Sequence, residues 1–483
     1  MNKTQIYKKF GGNVIASGGF GCVFNPALKC KGKNRENNKI SKLMTKKHAL
    51  DEYNEIESIK KKLDNIPNYE KYFLVDNFTI CVPDKLTEYD LENYEKKCTA
   101  LPKDNITKEN INNSLHLMMA LNMPNGGIPV DDYIYDDGSF DKLIPVNVAL
   151  INLLNYGILP MNKENIYHCD IKDSNVLVNN VNGVIETKLI DWGLSTIYIP
   201  HKFNEFPRSW RNRPLQFNVP FSTLIFTDLF FEKYTKYIKN GGKISYVNLK
   251  PFILDYIYVW IKKRGAGHYK LINSIMYMLF SNEFNNIDEK TKIKLIETEY
   301  TLLMIANYII EILIHFTKFR ENGDLNFRDY LDNVFIKITD IWGFIMVYFP
   351  IVELLFNNYD KLNQNQLKIF NHLKHIILVY CYNPRTMVIN MESLNKDFKT
   401  LSNLLENEKL KTTSNVKNQT NTLSTAFKKH SVTGQTFHPI KSSSSYFIKQ
   451  KISTSKKIKN LILVPNKNKT KKAIKHNKNL QKK

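Results

Sequence analysis

The sequence predicts an α+β fold: a small β-rich N-terminal region, a larger helical region after it, and a basic tail without regular structure. Three observations predict it. Five of the 19 glycines fall within the first 21 positions and are flanked by β-branched residues. From Ser222 to Leu405 the apolar residues recur mostly at helical spacing. From Lys409 to Lys483 there are 19 lysines and no arginine, aspartate or glutamate.

The formal net charge of the 483 residues is +23, and the tail carries +19 of it, leaving +4 for the first 408. The body is therefore close to neutral and the tail is a polycation. The tail is rich in Lys, Asn, Ser and Thr and cannot bury enough apolar surface to order itself, so 406–483 is expected to be disordered. A wholly disordered chain is excluded, because 43% of the residues are hydrophobic and 28 Phe and 26 Tyr can fill a core. Six cysteines without a CxxC pair point to free thiols in a reducing compartment rather than to a disulfide framework or zinc module. The N-terminal MNKTQIYKKFGGN lacks the apolar run of a secretory signal. The longest apolar stretch, Ile341 to Val352, is shorter than the roughly 20 residues of a membrane span. An intracellular location and no membrane partner are expected.

In chain order, Val14-Ile15 and Cys22–Phe24 read as two strands joined by a glycine-rich turn. Ile40–Met44 is a third strand. Apolar residues at 49, 50, 53, 56, 59 and 63 predict a helix over Ala49–Leu63, ending before Ile66-Pro67. Residues 79–113 are polar and mixed, as in an insertion. Leu115–Leu121 reads as a strand that stops at the breaker cluster Asn122–Gly127. Lys142–Tyr156 reads as a buried helix. Val176–Val178 and Val184–Ile190 form a hairpin around Asn179–Gly183.

Four segments carry chemistry. In Ile15-Ala16-Ser17-Gly18-Gly19-Phe20-Gly21-Cys22-Val23, glycines let backbone N–H groups approach phosphates with no Cβ in the way. Lys42 lies in an apolar strand and, paired with a helix carboxylate, would hold phosphates in place. Glu55 is the chosen carboxylate and Glu52 the alternative. In His168-Cys169-Asp170-Ile171-Lys172-Asp173-Ser174-Asn175, Asp170 can orient an attacking hydroxyl and take its proton. Lys172 would neutralise charge on a transferred phosphoryl group, and Asn175 offers an oxygen to a hard cation such as Mg²⁺. In Lys188-Leu189-Ile190-Asp191-Trp192-Gly193, Asp191 would be the main metal carboxylate.

Taken together, these segments resemble the protein kinase superfamily over about Phe10 to Asp228, most strongly at HCDIKDSN and DWG. The resemblance implies a two-lobed fold, with an N-lobe over 10–121 that carries the 79–113 insertion. Hinge and helical C-lobe would span 122–405. It also implies ATP as substrate, Mg²⁺ as cofactor and a protein as acceptor. Leu121 would be the gatekeeper, Asn122 and Met123 the hinge that meets adenine, and Asp228 the anchor of the catalytic loop on a long helix. Lysine two positions after Asp170 is the Ser/Thr pattern and argues against a small-molecule kinase. Within the superfamily the chain is similar to divergent kinases of large cytoplasmic DNA viruses, which implies host cytoplasm or virion, and for the tail the nucleus.

The chain departs from the pattern at several points. Ala16 stands for the first glycine of the loop, Trp192 for a phenylalanine, and Cys169 for the arginine that receives an activation-loop phosphate. No Ala-Pro-Glu follows, Val219-Pro220-Phe221 being the nearest candidate. Arg208, Arg211 and Arg213 could meet an acidic partner. The competing function is a kinase-like scaffold that binds nucleic acid or packs a virion through the polycationic tail. A further expectation is autophosphorylation at Ser442–Ser445 and Ser453–Ser455.

Overall fold

The computed structural model describes residues 13–415, apart from 203–206, 208, 209, 266 and 385. Arg208 and the basic tail beyond 415, with its serines, lie outside the described residues. Among the described residues two compact units are present, one made of 13–133 and 141–198, the other of 134–140 and the residues from 199 to 415.

The first unit is built on a five-stranded antiparallel sheet of β1 (Asn13–Ser17), β2 (Gly21–Asn25), β3 (Lys39–Thr45), β4 (Thr79–Cys81) and β5 (Met118–Pro124), in the order β1-β2-β3-β5-β4. Glycine is required at Gly21, where β2 begins, because a Cβ there would come within 2.5 Å of the Leu43 carbonyl oxygen on β3. Strand period two sends neighbouring residues to opposite faces, and directly opposed residues share a face. Val23, Lys42, Leu121 and Ile80 form one cross-strand row. Cys22, Leu43, Ala120 and Cys81 form the next row, on the other face.

The first face meets helix α1 (Lys46–Leu63), whose buried residues Ala49, Ile56, Ile59 and Leu63 keep helical spacing. Three lysines in its last turn complement the helix dipole. The second face is covered by the segment after β4. This stretch, read from sequence as a polar insertion, has a core of its own. Leu86, Leu91, Tyr94, Leu101, Ile106 and Ile111 pack with Val14, Phe24 and Leu43 of the sheet. Arg35 clamps buried Asp90 with two hydrogen bonds of 2.8 and 3.1 Å.

Two disulfides also hold this cover, Cys22–Cys98 and Cys30–Cys81. They overturn the expectation that the cysteines are free thiols, which stands only for Cys169 and Cys381. The partners are 76 and 51 residues apart, and the fold brings them together because Cys22 and Cys81 both point to the covered face. Closing a loop of that length removes about 4 kcal/mol of unfolded-chain entropy.

Helix Phe140–Lys163 follows, longer than the expected Lys142–Tyr156. β8 (Val176–Val181) and β9 (Val184–Leu189), after the short β6 (Ile128–Pro129) and β7 (Ile166–Tyr167), form the hairpin. Its turn is Asn182-Gly183, both at positive φ (53° and 89°), so the strands run closer to the tip than expected.

The second unit is helical, as the apolar spacing predicts. Helix Arg328–Phe356 is buried along its whole most apolar window. It contains the stretch Ile341–Val352 and continues past Pro350, which is tolerated in the first turn of Phe349–Phe356 because no N–H is needed there. By length and composition, this helix, Phe140–Lys163 and Glu289–Phe316 are long and apolar enough to cross a membrane. Phe221 sits among Trp342, Tyr308 and Tyr382, with ring centroids 5.2 to 5.7 Å away.

The last described helix, Met391–Asn415, extends past the expected start of the tail at 406. Its buried Glu408 accepts hydrogen bonds from Asn363, Asn365 and Gln366 at 2.7 to 2.9 Å, at the N-terminus of helix Gln364–Ile376. Glu408→Ala strands three amide donors and should destabilise this unit by about 3 kcal/mol. A urea midpoint unchanged from wild type would refute that role.

Candidate functional site

Each of the four motif segments lies in the first unit. Lys42 is nine-tenths buried, and its Nζ donates to both carboxylate oxygens of Glu52, at 2.8 and 2.7 Å. Burial works to lower the lysine's pKa, but the charges of Glu52 and Asp191 outweigh it and the net shift is upward. Glu52 is thus the partner and Glu55 is not, a correction of the first choice. Glu55 lies one turn further on, too far along the helix to reach the ammonium.

Glu55 has a different fate. Burial, with the charges of Glu52, Asp191 and Asp51, pushes its carboxyl up to about 7. An acid raised in the folded state costs stability as pH climbs from the unfolded value through the folded one. Glu55→Gln should therefore raise the melting temperature at pH 8 and leave it nearly unchanged at pH 5. Equal shifts at the two pH values, measured by circular dichroism, would contradict the assignment.

The glycine-rich loop lies directly over this pair. A Cβ on Gly18 would meet Lys42 Cε at 3.4 Å and Nζ at 3.7 Å, so the bare α-carbon lets the loop approach the ammonium. Gly18 N–H donates to the Gly21 carbonyl at 2.9 Å. At the tip, Phe20 stacks on His48 of α1, with centroids 4.4 Å apart, and Gly19 is exposed. Ile15 and Ala16 are exposed on β1, and Val23 is half-buried on the Lys42 face. Cys22, expected as a thiol near the phosphates, is instead on the covered face in its disulfide. In β5, Leu121 is buried across from Lys42. The Asn122 side chain is committed elsewhere, accepting from Ser41 Oγ at 2.5 Å. This leaves backbone groups and half-buried Met123 as what that strand end can present.

The His168–Asn175 segment is held from several sides. Asp170 accepts from Lys172 Nζ at 2.7 Å and from Asn175 Nδ2 at 3.1 Å, and that same amide donates to the Asp170 carbonyl at 2.8 Å. His168 Nδ1 accepts the Asp170 N–H at 3.3 Å, so its Nε2 carries the proton and donates to the Ile190 carbonyl at 3.0 Å. Ile190 N–H in turn donates to the Asn175 carbonyl at 2.9 Å. One histidine thereby ties the loop to the strand end that carries Asp191. Trp192 packs edge-on against His168 and Phe73, with centroids at 5.0 and 5.6 Å.

Cys169 and Asp191 both adopt left-handed backbone, with φ of 61° and 67°. Non-glycine residues take that conformation only at a cost, and such strain clusters at functional sites. Cys169 is buried and Asp191 is exposed.

Asp228 does not take the role the resemblance gave it. It opens the surface helix Asp228–Lys239, where Asn212 and Arg211 hold its carboxyl below the usual range. Arg211 is therefore paired at 2.7 Å, while buried Arg213 donates to Gln216 at 2.7 Å. The helix Arg328–Phe356 buries two other aspartates, Asp332 at 0% and Asp340 at 1% exposure. Asp340 directly precedes the apolar stretch Ile341–Val352, a position where a buried acid demands partners.

No family model matches the chain. No curated protein matches it either. Among solved structures it is similar to the one titled "Crystal structure of PF14_0431, kinase domain", at 14% identity and a TM-score of 0.27, over 62% of this chain and 88% of that one. A TM-score this low leaves the geometry of the site to carry any reading of function.

Proposed function

We propose that the chain is a protein kinase that transfers the γ-phosphoryl group of ATP to serine or threonine hydroxyls. One observation carries the reading: a buried Lys42–Glu52 pair lies beneath a glycine-rich loop, in the same unit as an Asp170 held by Lys172 and Asn175.

Backbone N–H groups of the loop and the Lys42 ammonium would bind the phosphates. Glu52 keeps that ammonium charged and aimed. Asp170, oriented by Asn175, would align the acceptor hydroxyl and take its proton, while Lys172 offsets charge on the phosphoryl group. Lysine at that spacing supports serine or threonine as acceptor.

The donor set fits Mg²⁺. Asn175 spends its Nδ2 on Asp170, so the amide oxygen is what it has to offer a cation, and Asp191 is exposed. Among the described residues no cluster of three or more His, Cys, Asp or Glu forms a closed cage. A magnesium ion needs none, since one or two protein oxygens suffice beside phosphate and water. Asn175 and Asp191 would hold the ion, which when bound neutralises phosphate charge.

Incubation with labelled ATP, Mg²⁺ and a basic protein tests the reading. Wild type should transfer label and Asp191→Ala should not. Equal transfer by the two would end it. For the tail we propose contact with nucleic acid or an acidic partner, outside the chemistry. Deleting 416–483 should then abolish salt-sensitive DNA retention, and unchanged retention would remove that role.

A further inference from the structure

We propose that the Cys22–Cys98 disulfide is a redox-controlled tether on the glycine-rich loop, which oxidation closes and which fixes the loop in its phosphate-binding shape. The four-residue turn Gly18–Gly21 is bounded by Ser17 and Cys22. Both shoulders are tied to three consecutive residues of the cover. Cys22 is bonded to Cys98, and Ser17 Oγ accepts the N–H groups of Thr99 and Ala100 at 3.1 and 3.0 Å. Glycine loses more conformational freedom on ordering than any other residue. A turn with three glycines in four positions therefore spends much of its time out of shape unless its ends are held. Holding them raises the population that can bind, and apparent affinity rises in proportion.

The second disulfide is a built-in control. Cys30–Cys81 joins the β2–β3 connector to β4 on the same face and contains no residue next to the turn.

Closing the tether takes two protons and two electrons from the thiols of Cys22 and Cys98. The acceptor is a disulfide oxidant, which leaves as two thiols. Opening it takes a dithiol reductant, which leaves as a cyclic disulfide. Both sulfurs are buried, Cys22 at 0% and Cys98 at 2% exposure. Exchange therefore requires the cover to open locally, and the tether follows a sustained redox state rather than a passing one.

The test compares the full chain with Cys22→Ser/Cys98→Ser and Cys30→Ser/Cys81→Ser. Without nucleotide, hydrogen exchange at Gly18–Gly21 should be about tenfold faster in the first pair and near wild type in the second. The KM for ATP should rise about tenfold in the first pair with kcat little changed. If the first pair does not fold, oxidised wild type and dithiothreitol-treated wild type should show the same exchange difference. Equal exchange across both pairs would overturn the tether, as would mass spectrometry finding Cys22 and Cys98 both alkylated in the oxidised protein. The kinetic arm rests on the proposed phosphoryl transfer and the exchange arm does not. An exchange difference without ATP turnover would keep the tether and discard the kinase.

Discussion

Asp170→Asn is expected to lower phosphoryl transfer by about a thousandfold, the range of a lost general base. The amide is nearly the same shape, so packing around the loop should survive. Its polarity is wrong on two counts. It cannot take a proton from the acceptor hydroxyl, and it loses the charge that draws Lys172 Nζ to 2.7 Å. Asn175 Nδ2 would still reach the Asp170 carbonyl, which keeps the turn closed. Single-turnover transfer from labelled ATP measures the loss, and a thermal melt checks the fold. A loss below about tenfold would move the catalytic role to another residue.

The second large effect separates two glutamates on one helix. Glu52→Gln should cost about a hundredfold in transfer, because Lys42 loses the charge that aims it. It should also destabilise the first unit by about 3 kcal/mol, since both side chains of the pair are largely buried and the ammonium would be left without its counter-charge. Glu55→Gln should change transfer by less than about threefold. Identical losses for the two variants would mean that Lys42 is held by the region's charge and not by one carboxylate.

The sequence displayed the parts of this site that are contiguous. The glycine turn, Lys42 in its strand and the His168–Asn175 run each carry their geometry within a few residues, and the structure brings them into one unit. What escaped depends on distances the chain does not display. Glu52 and Glu55 differ by 300° around a helix, so both point the same way within about 60°. Only the height at which α1 starts after β3 decides between them. Cys22 and Cys98 are distant in sequence and meet only because strand alternation puts Cys22 beneath the cover. The cover itself looked polar because its buried residues are spread through short turns and helices with no single period. The resemblance places Asp228 on a long buried helix, but the exposed start of Asp228–Lys239 gives its carboxyl Arg211 and Asn212 as partners instead.

The site also has an order in time. Every residue assigned to phosphate, metal or proton lies before residue 192, and all four disulfide cysteines precede residue 99. A ribosome delivers them before most of the helical unit exists, and domains fold as they emerge. The sheet, its cover and the hairpin strands can thus assemble while the aromatic helices are still being made. Both sulfur bridges can close on a nascent chain, at the stage when their thiols are still open to exchange. Once the cover has packed, later change of either bridge waits on its local opening.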